Sequence, residues 1–304
     1  MASRRTFLTA ASSAGAVLLF NPLEQLGAPG NITRAPGFSL TIMNTKWGND
    51  DSWDLFCSRT KEAGYDGVEI WWPVDQKERD EMKNAMEKHG LKKAFLFGSG
   101  ENDFTANDAQ FREIITTSAK TNPLYINCHT GKDYFTADQK SRMISFTLEL
   151  SKSSGVPIYH ETHRGRALYS APVTRELMEK IPGLRLTLDI SHWCNVHESL
   201  LHDQEETVNL ALTRTDHIHA RIGHPEGPQV SDPRAPEWEN AVKTHFGWWD
   251  KVVETKKKNG LPLTILTEFG PPDYMPTMPY SRKPLADQWD INVYMMKELR
   301  SRYG

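Results

Sequence analysis

From about Gly37 onward the chain alternates short apolar runs with longer amphipathic ones, eight times over. The runs at 38–43, 67–71, 93–97, 124–128, 157–161, 185–189, 217–219 and 263–268 are short and rich in β-branched or aromatic residues, as strands are. The stretches at 53–63, 76–89, 111–120, 138–153, 172–181, 204–213, 238–258 and 285–302 carry helical spacing. Several end on Gly or Pro: Ala63-Gly64, Ser154-Gly155, Ile181-Pro182-Gly183 and Asn259-Gly260-Leu261-Pro262. Such residues stop a helix and turn the chain back toward a strand. Eight strand–helix units predict a parallel sheet closed on itself, an α/β fold of the (β/α)8 TIM-barrel class. An open doubly wound sheet would need a Gly-rich phosphate turn after its first strand, and Met43-Asn44-Thr45-Lys46-Trp47 is not one.

The N-terminus lies outside this pattern. Ser3-Arg4-Arg5-Thr6-Phe7-Leu8 sets paired arginines before an Ala-rich apolar run from Ala10 to Phe20. A charged region followed by a short apolar one is a secretory signal, too short for a stable membrane span. The paired arginines resemble a twin-arginine signal, so 1–28 is expected to be an export leader for a periplasmic protein. Residues 37–304 then form one barrel domain. The three cysteines, Cys57, Cys128 and Cys194, have no metal-site spacing and are expected to be buried thiols. With 36 basic against 39 acidic residues, a net charge of -3, the chain has no basic field suited to nucleic acid.

Acids and histidines fall at the ends of four successive predicted strands. Glu161 ends the fifth, Asp189 the sixth, His219 the seventh and Glu268 the eighth, at separations of 28, 30 and 49 residues (189−161, 219−189, 268−219). The first two separations are one β/α unit each, and the third adds a Gly- and Pro-rich loop between His219 and Trp238. A lone carboxylate at a strand end is more often a helix cap or salt-bridge partner. Four on consecutive units converge on the catalytic mouth of a barrel. Three carboxylates and one imidazole suit Mn2+, Mg2+ or Co2+, with Zn2+ admissible. His217 shares a strand face with His219 but lies further from the mouth, so His219 is the expected ligand and His217 its support.

Five segments together resemble the xylose-isomerase-like TIM-barrel superfamily, which includes sugar isomerases and epimerases, dehydratases and endonuclease IV. They are Tyr65-Asp66-Gly67-Val68-Glu69-Ile70, His160-Glu161-Thr162-His163-Arg164, Asp189-Ile190-Ser191-His192, His217-Ile218-His219 and Thr267-Glu268-Phe269-Gly270. The resemblance implies one divalent metal on Glu161, Asp189, His219 and Glu268. It also implies that Glu161 and Glu268 exchange the proton beside a sugar carbonyl through an enediolate. His192 matches the family's substrate-contacting histidine. Epimerases carry a substrate-binding arginine a few residues beyond the histidine ligand. This chain has Pro225 there, which departs from the ketohexose-epimerase pattern and leaves Arg221 or His224 as the replacement.

Further candidates for contacting substrate at the mouth are Glu69, His129, Lys132 and Arg164. Trp47, Trp71 and Trp72 could make stacking walls or simply pack between strands and helices. Neither an Arg/Lys cluster nor a Gly-rich helix start marks a phosphate site, so a free sugar or sugar derivative is expected. The expected partner is thus a small-molecule carbohydrate, with no nucleic acid and no stable membrane span; a homo-oligomer is left open. The alternatives are a metal-dependent lyase or dehydratase acting on a 3-keto-glycoside or keto-sugar, and a non-catalytic carbohydrate-binding barrel.

Overall fold

In the computed structural model, which describes residues 37–304, eight parallel strands pair in chain order and the last closes onto the first. They are β1 Leu40–Thr45, β2 Gly67–Trp71, β3 Lys92–Phe97, β4 Ile126–Cys128, β5 Ile158–Glu161, β6 Leu186–Leu188, β7 Thr215–Ala220 and β8 Leu263–Thr267. The helices are α1 Trp53–Ala63, α2 Gln76–Lys88, α3 Phe104–Ala119, α4 Ala137–Ser154, α5 Ala171–Lys180, α6 Ile190–Val196, α7 Glu205–Arg214, α8 Glu239–Asn259 and α9 Gln288–Tyr303. This is the expected (β/α)8 barrel. The expected export signal over 1–28 lies outside the described residues. Among those residues, no helix is long and apolar enough to cross a membrane.

Strand alternation separates two environments. Ile126, Cys128, Ile158, Ile218 and Ile265 face outward and are buried in the apolar clusters beneath the helices. Their neighbours face the barrel lumen, because side chains along a strand alternate. Tyr125, beside β4, reaches Glu69 of β2 and His217 of β7, strands that are not its neighbours. Only a path through the lumen allows that. Met43, Ala94, Tyr125 and Leu266 form an apolar plug in the lumen, and polar residues lie above it toward the strand C-termini. All three cysteines are free and buried, as expected.

Local sequence explains where the expected boundaries moved. Helix α3 starts at Phe104, not 111, because Asp103 accepts hydrogen bonds from the Thr105 and Ala106 amides. Asp287 likewise caps α9 by accepting from the Asp290 amide, so that helix starts at Gln288 rather than 285. Helix α6 was not anticipated. Five of its seven residues are buried, so it has no polar face to betray helical periodicity. Its N-cap is Asp189, whose side chain accepts from the Ser191 amide.

Candidate metal centre

The lumen sets Glu161 at the end of β5, Asp189 just past β6, His219 in β7 and Glu268 just past β8 within reach of one point. One ligand atom from each lies within 4.8 Å of the others, and all four residues are buried. His219 Nδ1 stands 2.8 Å from Glu268 Oε2 and 3.6 Å from Glu161 Oε2. Glu161 Oε1 is buried without a hydrogen-bond partner, and His219 Nδ1 and Glu268 Oε2 face each other as an ion pair without forming a hydrogen bond. Polar atoms without a hydrogen bond at this depth are costly, and these three converge. Counting Glu69 as well, four buried carboxylates face one permanent cation, Arg221, with the imidazoles of His129, His192, His217 and His219 around them. The donor set and the excess negative charge both fit a divalent cation.

Glu69 belongs under this group, not at the mouth. It sits in the middle of β2 and is 1% exposed. Its carboxylate accepts from Tyr125 Oη at 2.6 Å and Asn127 Nδ2 at 3.2 Å, and lies 2.9 Å from His217 Nε2 and 3.1 Å from His219 Nε2. Burial would raise its pKa, but His219 and His217 hold it well below the ordinary carboxylate value. His217 turns its Nδ1 toward the Thr264 hydroxyl at 2.7 Å and supports Glu69 from below. With Nε2–H given to Glu69, His219 offers Nδ1 to the cluster. Burial opposes charge on this imidazole, yet Glu268, Glu161 and Glu69 raise its pKa well above the ordinary value.

Arg221, two residues beyond His219, is 2% exposed and lies inside the cluster. It pairs with Asp189, lies 3.6 Å from Glu268, and donates to His192 Nε2 at 2.9 Å. Burial pushes the Asp189 carboxyl up to about 6 against the pull of Arg221, with Glu268 and Glu161 adding to the rise. Because His192 Nε2 accepts from Arg221, its proton is on Nδ1, which is buried and unpartnered. His129 Nε2 donates to Glu161 Oε2 at 3.0 Å. The His163 ring bridges His129 at 4.3 Å and His192 at 3.9 Å. His129, Glu161 and His163 also bring ligand atoms within 4.8 Å of one another, as do Glu69, His217 and His219.

The remaining candidates spread around the rim. Trp47 lies edge-on to Tyr274 at 4.9 Å, with the Arg221 guanidinium 4.7 Å from the Tyr274 ring. A Cβ on Gly270 would collide with the Trp47 ring, which is why glycine follows Phe269 there. Trp71 is 44% exposed and meets the His129 ring edge-on at 5.2 Å. Arg164 donates to Asn195 Oδ1 at 3.1 Å and covers Tyr274 at 5.1 Å. Lys132 Nζ donates to the Gly100 carbonyl at 3.4 Å.

Two candidates are elsewhere. Trp72 is buried outside the barrel against Phe95, at 4.8 Å, so it is packing and not a wall of the mouth. His224 bridges to Gly227 and stacks on Trp238 at 4.8 Å, and none of these contacts reaches the cluster. Sequence reasoning assigned no role to Asn127, His163 or Tyr274. Asn127 donates to Glu161 Oε2 at 2.7 Å. Spacing could have found two of them, since Asn127 precedes His129 by two and His163 follows Glu161 by two. Tyr274 comes from the loop after β8 and carries no such signal.

A family model described as xylose isomerase-like TIM barrel matches residues 57–240. Among solved structures, the chain is similar to one described as the probable 3-DHS dehydratase involved in petrobactin synthesis from Bacillus anthracis. That match has TM-score 0.56 and 16% identity, covering 87% of this chain and 100% of the other. It is also similar to 3-keto-D-glucoside 4-epimerase from E. coli, at TM-score 0.54 and 13% identity over 86% and 100% of the two chains. A third is a xylose isomerase-like TIM-barrel protein from Mycobacterium smegmatis in complex with magnesium, at 0.53 and 9% over 87% and 98%. No curated protein matches the chain at a significant level.

Proposed function

The chain belongs to the xylose isomerase-like TIM-barrel family, and on that footing we propose that it is a divalent-metal-dependent isomerase or epimerase of a free sugar or sugar derivative. The observation that carries this reading is the convergence of Glu161, Asp189, His219 and Glu268 on one buried point, with three of their polar atoms making no hydrogen bond. When bound there, a divalent ion supplies a Lewis acid that makes the C–H beside a substrate carbonyl more acidic.

The protein's own residues handle the proton. Glu161 is held by donors from Asn127 and His129, both on Oε2, so its orientation is set before substrate arrives. Glu268 is less enclosed than the other three and stands beside Arg221. One of these glutamates takes the proton and the other returns it, as general base and general acid. His192 presents an unpartnered Nδ1–H for a substrate oxygen, and Trp47 and Trp71 offer aromatic faces at the rim. The dehydratase and epimerase among the similar structures are consistent with chemistry that begins by removing such a proton.

The test pairs metal analysis with solvent deuterium incorporation across aldoses, ketoses and 3-keto-glycosides. Deuterium entering a product of otherwise unchanged composition supports isomerisation or epimerisation. An unsaturated ketone with a released fragment would assign elimination instead. Stoichiometric metal with no exchange into any sugar would sink the proton-transfer reading.

A further inference from the structure

Arg166 and Lys132 are 34 residues apart (166−132), yet the fold brings them together where the loops after β3, β4 and β5 meet. Arg166 Nη1 donates to the carbonyls of Ser99, at 3.1 Å, and Gly131, at 3.4 Å. These bonds fix the guanidinium, while Nε and Nη2 have no hydrogen-bond partner among the described residues. Lys132 Nζ has only the Gly100 carbonyl at 3.4 Å. Neither cation forms an ion pair with a described carboxylate, although Arg166 is partly buried.

Arg166 is anchored on the carbonyl of Gly131, the residue before Lys132, and the two side chains reach the adjacent carbonyls of Ser99 and Gly100. Burial pushes the Lys132 ammonium pKa down, and the Arg166 guanidinium pushes it further, with Asp133 and Glu101 offsetting part of this. Burial also lowers the Arg166 pKa, against the pull of Glu161 and Asp133. Two like charges held together and partly desolvated cost free energy unless an anion joins them. The mouth lies alongside. Gly131 is two residues beyond His129, whose ring touches Glu161, and Glu161 is close enough to favour the Arg166 charge.

We propose that Arg166 and Lys132 form an oxyanion subsite on this edge of the mouth, and that the substrate is an acidic sugar whose carboxylate seats there while its carbonyl end faces the four-residue cluster. The placement of the carbonyl rests on the metal-centre reading above; the subsite does not. An arginine with one nitrogen anchored and its other N–H groups free suits a planar carboxylate. A phosphate usually draws on backbone amides at a helix start as well, and the structure assigns none to this pair.

Isothermal titration of the whole protein with matched probes tests this: D-glucose, D-glucuronate and glucose 6-phosphate, and the same three in the galactose series. At least one uronate should bind about tenfold or more tightly than its neutral partner. Arg166→Ala and Lys132→Ala should each remove most of that preference, read within each variant as the ratio of uronate to neutral-sugar affinity. Lys132 is partly exposed, so its variant keeps the test valid if Arg166→Ala fails to fold. The proposal is overturned if no uronate binds at millimolar concentration, or if the preference survives both substitutions. It is equally overturned if the 6-phosphate is preferred to the uronate. Because titration reads binding, a uronate preference stands even if no metal is found. Deuterium exchange confined to neutral sugars would preserve the metal reading and overturn this one.

Discussion

Glu69 Oε1 stands 3.1 Å from His219 Nε2, so the imidazole presents Nδ1 to Glu161 and Glu268. A carboxylate behind a ligating histidine sets its tautomer and its ring angle. Glu69→Gln keeps the side chain's size but removes the charge that fixes this arrangement. Metal affinity should fall about 10- to 100-fold, as read by competition with a chelating dye, while the circular dichroism spectrum is retained.

Arg221 offsets the carboxylates that surround it. Arg221→Met fills similar space but leaves Asp189, Glu161 and Glu268 buried with one cation fewer. In urea unfolding with a chelator present, the variant should lose about 3–5 kcal/mol, the usual cost of breaking a buried pair on one side. Excess divalent ion should recover part of that loss, because a ligand that binds only the folded state stabilises it. Equal losses with and without the ion would contradict the site's charge balance.

Far from the mouth, Asp216 joins Arg185, at 2.6 Å, and Lys256, which is 4% exposed. Burial would raise the Asp216 pKa, but hydrogen bonds from Arg185 and Lys256 lower it below the ordinary value. A folded-state pKa below the unfolded one gives stability that is fully present above the unfolded value, about 3.9. That stability is lost as pH falls through the folded value. Asp216→Asn should therefore cost on the order of 2 kcal/mol at pH 7. The gap to the parent protein should close as pH drops below about 3.9. Denaturant titrations at pH 7, 5 and 3 would measure it.

From the paired arginines Arg4 and Arg5 we propose that the chain is exported by the twin-arginine route. Replacing both, Arg4→Lys with Arg5→Lys, should leave the protein in the cytoplasm with its leader attached if that route is the twin-arginine one. Fractionation and immunoblotting would check it. Unimpaired export of the double variant would exclude the twin-arginine assignment.

Much of the site was legible because barrel geometry turns strand spacing into position. Glu161, Asp189, His219 and Glu268 come together since strand C-termini converge, and one acid or histidine per unit is visible in a linear read. His217 was placed below His219 by the same two-residue repeat. Glu69 was misplaced at the mouth because apolar runs do not show where a strand stops being lumen and starts being rim. Trp72 illustrates the same limit. One residue from Trp71, it faces the opposite side of the sheet and packs on Phe95.

The sequence by itself determined the eight-unit barrel, the shared face of His217 and His219, and the four residues whose acids and imidazole meet at its mouth. These follow from local periodicity and a closed topology. Only the tertiary structure decided that Glu69 orients His219, that Arg221 balances Asp189, and that Arg166 anchors on the carbonyls of Ser99 and Gly131. Each is a contact across the lumen or between loops of different units. Coulomb energy and desolvation depend on distance and burial in three dimensions, and neither is written in separation along the chain.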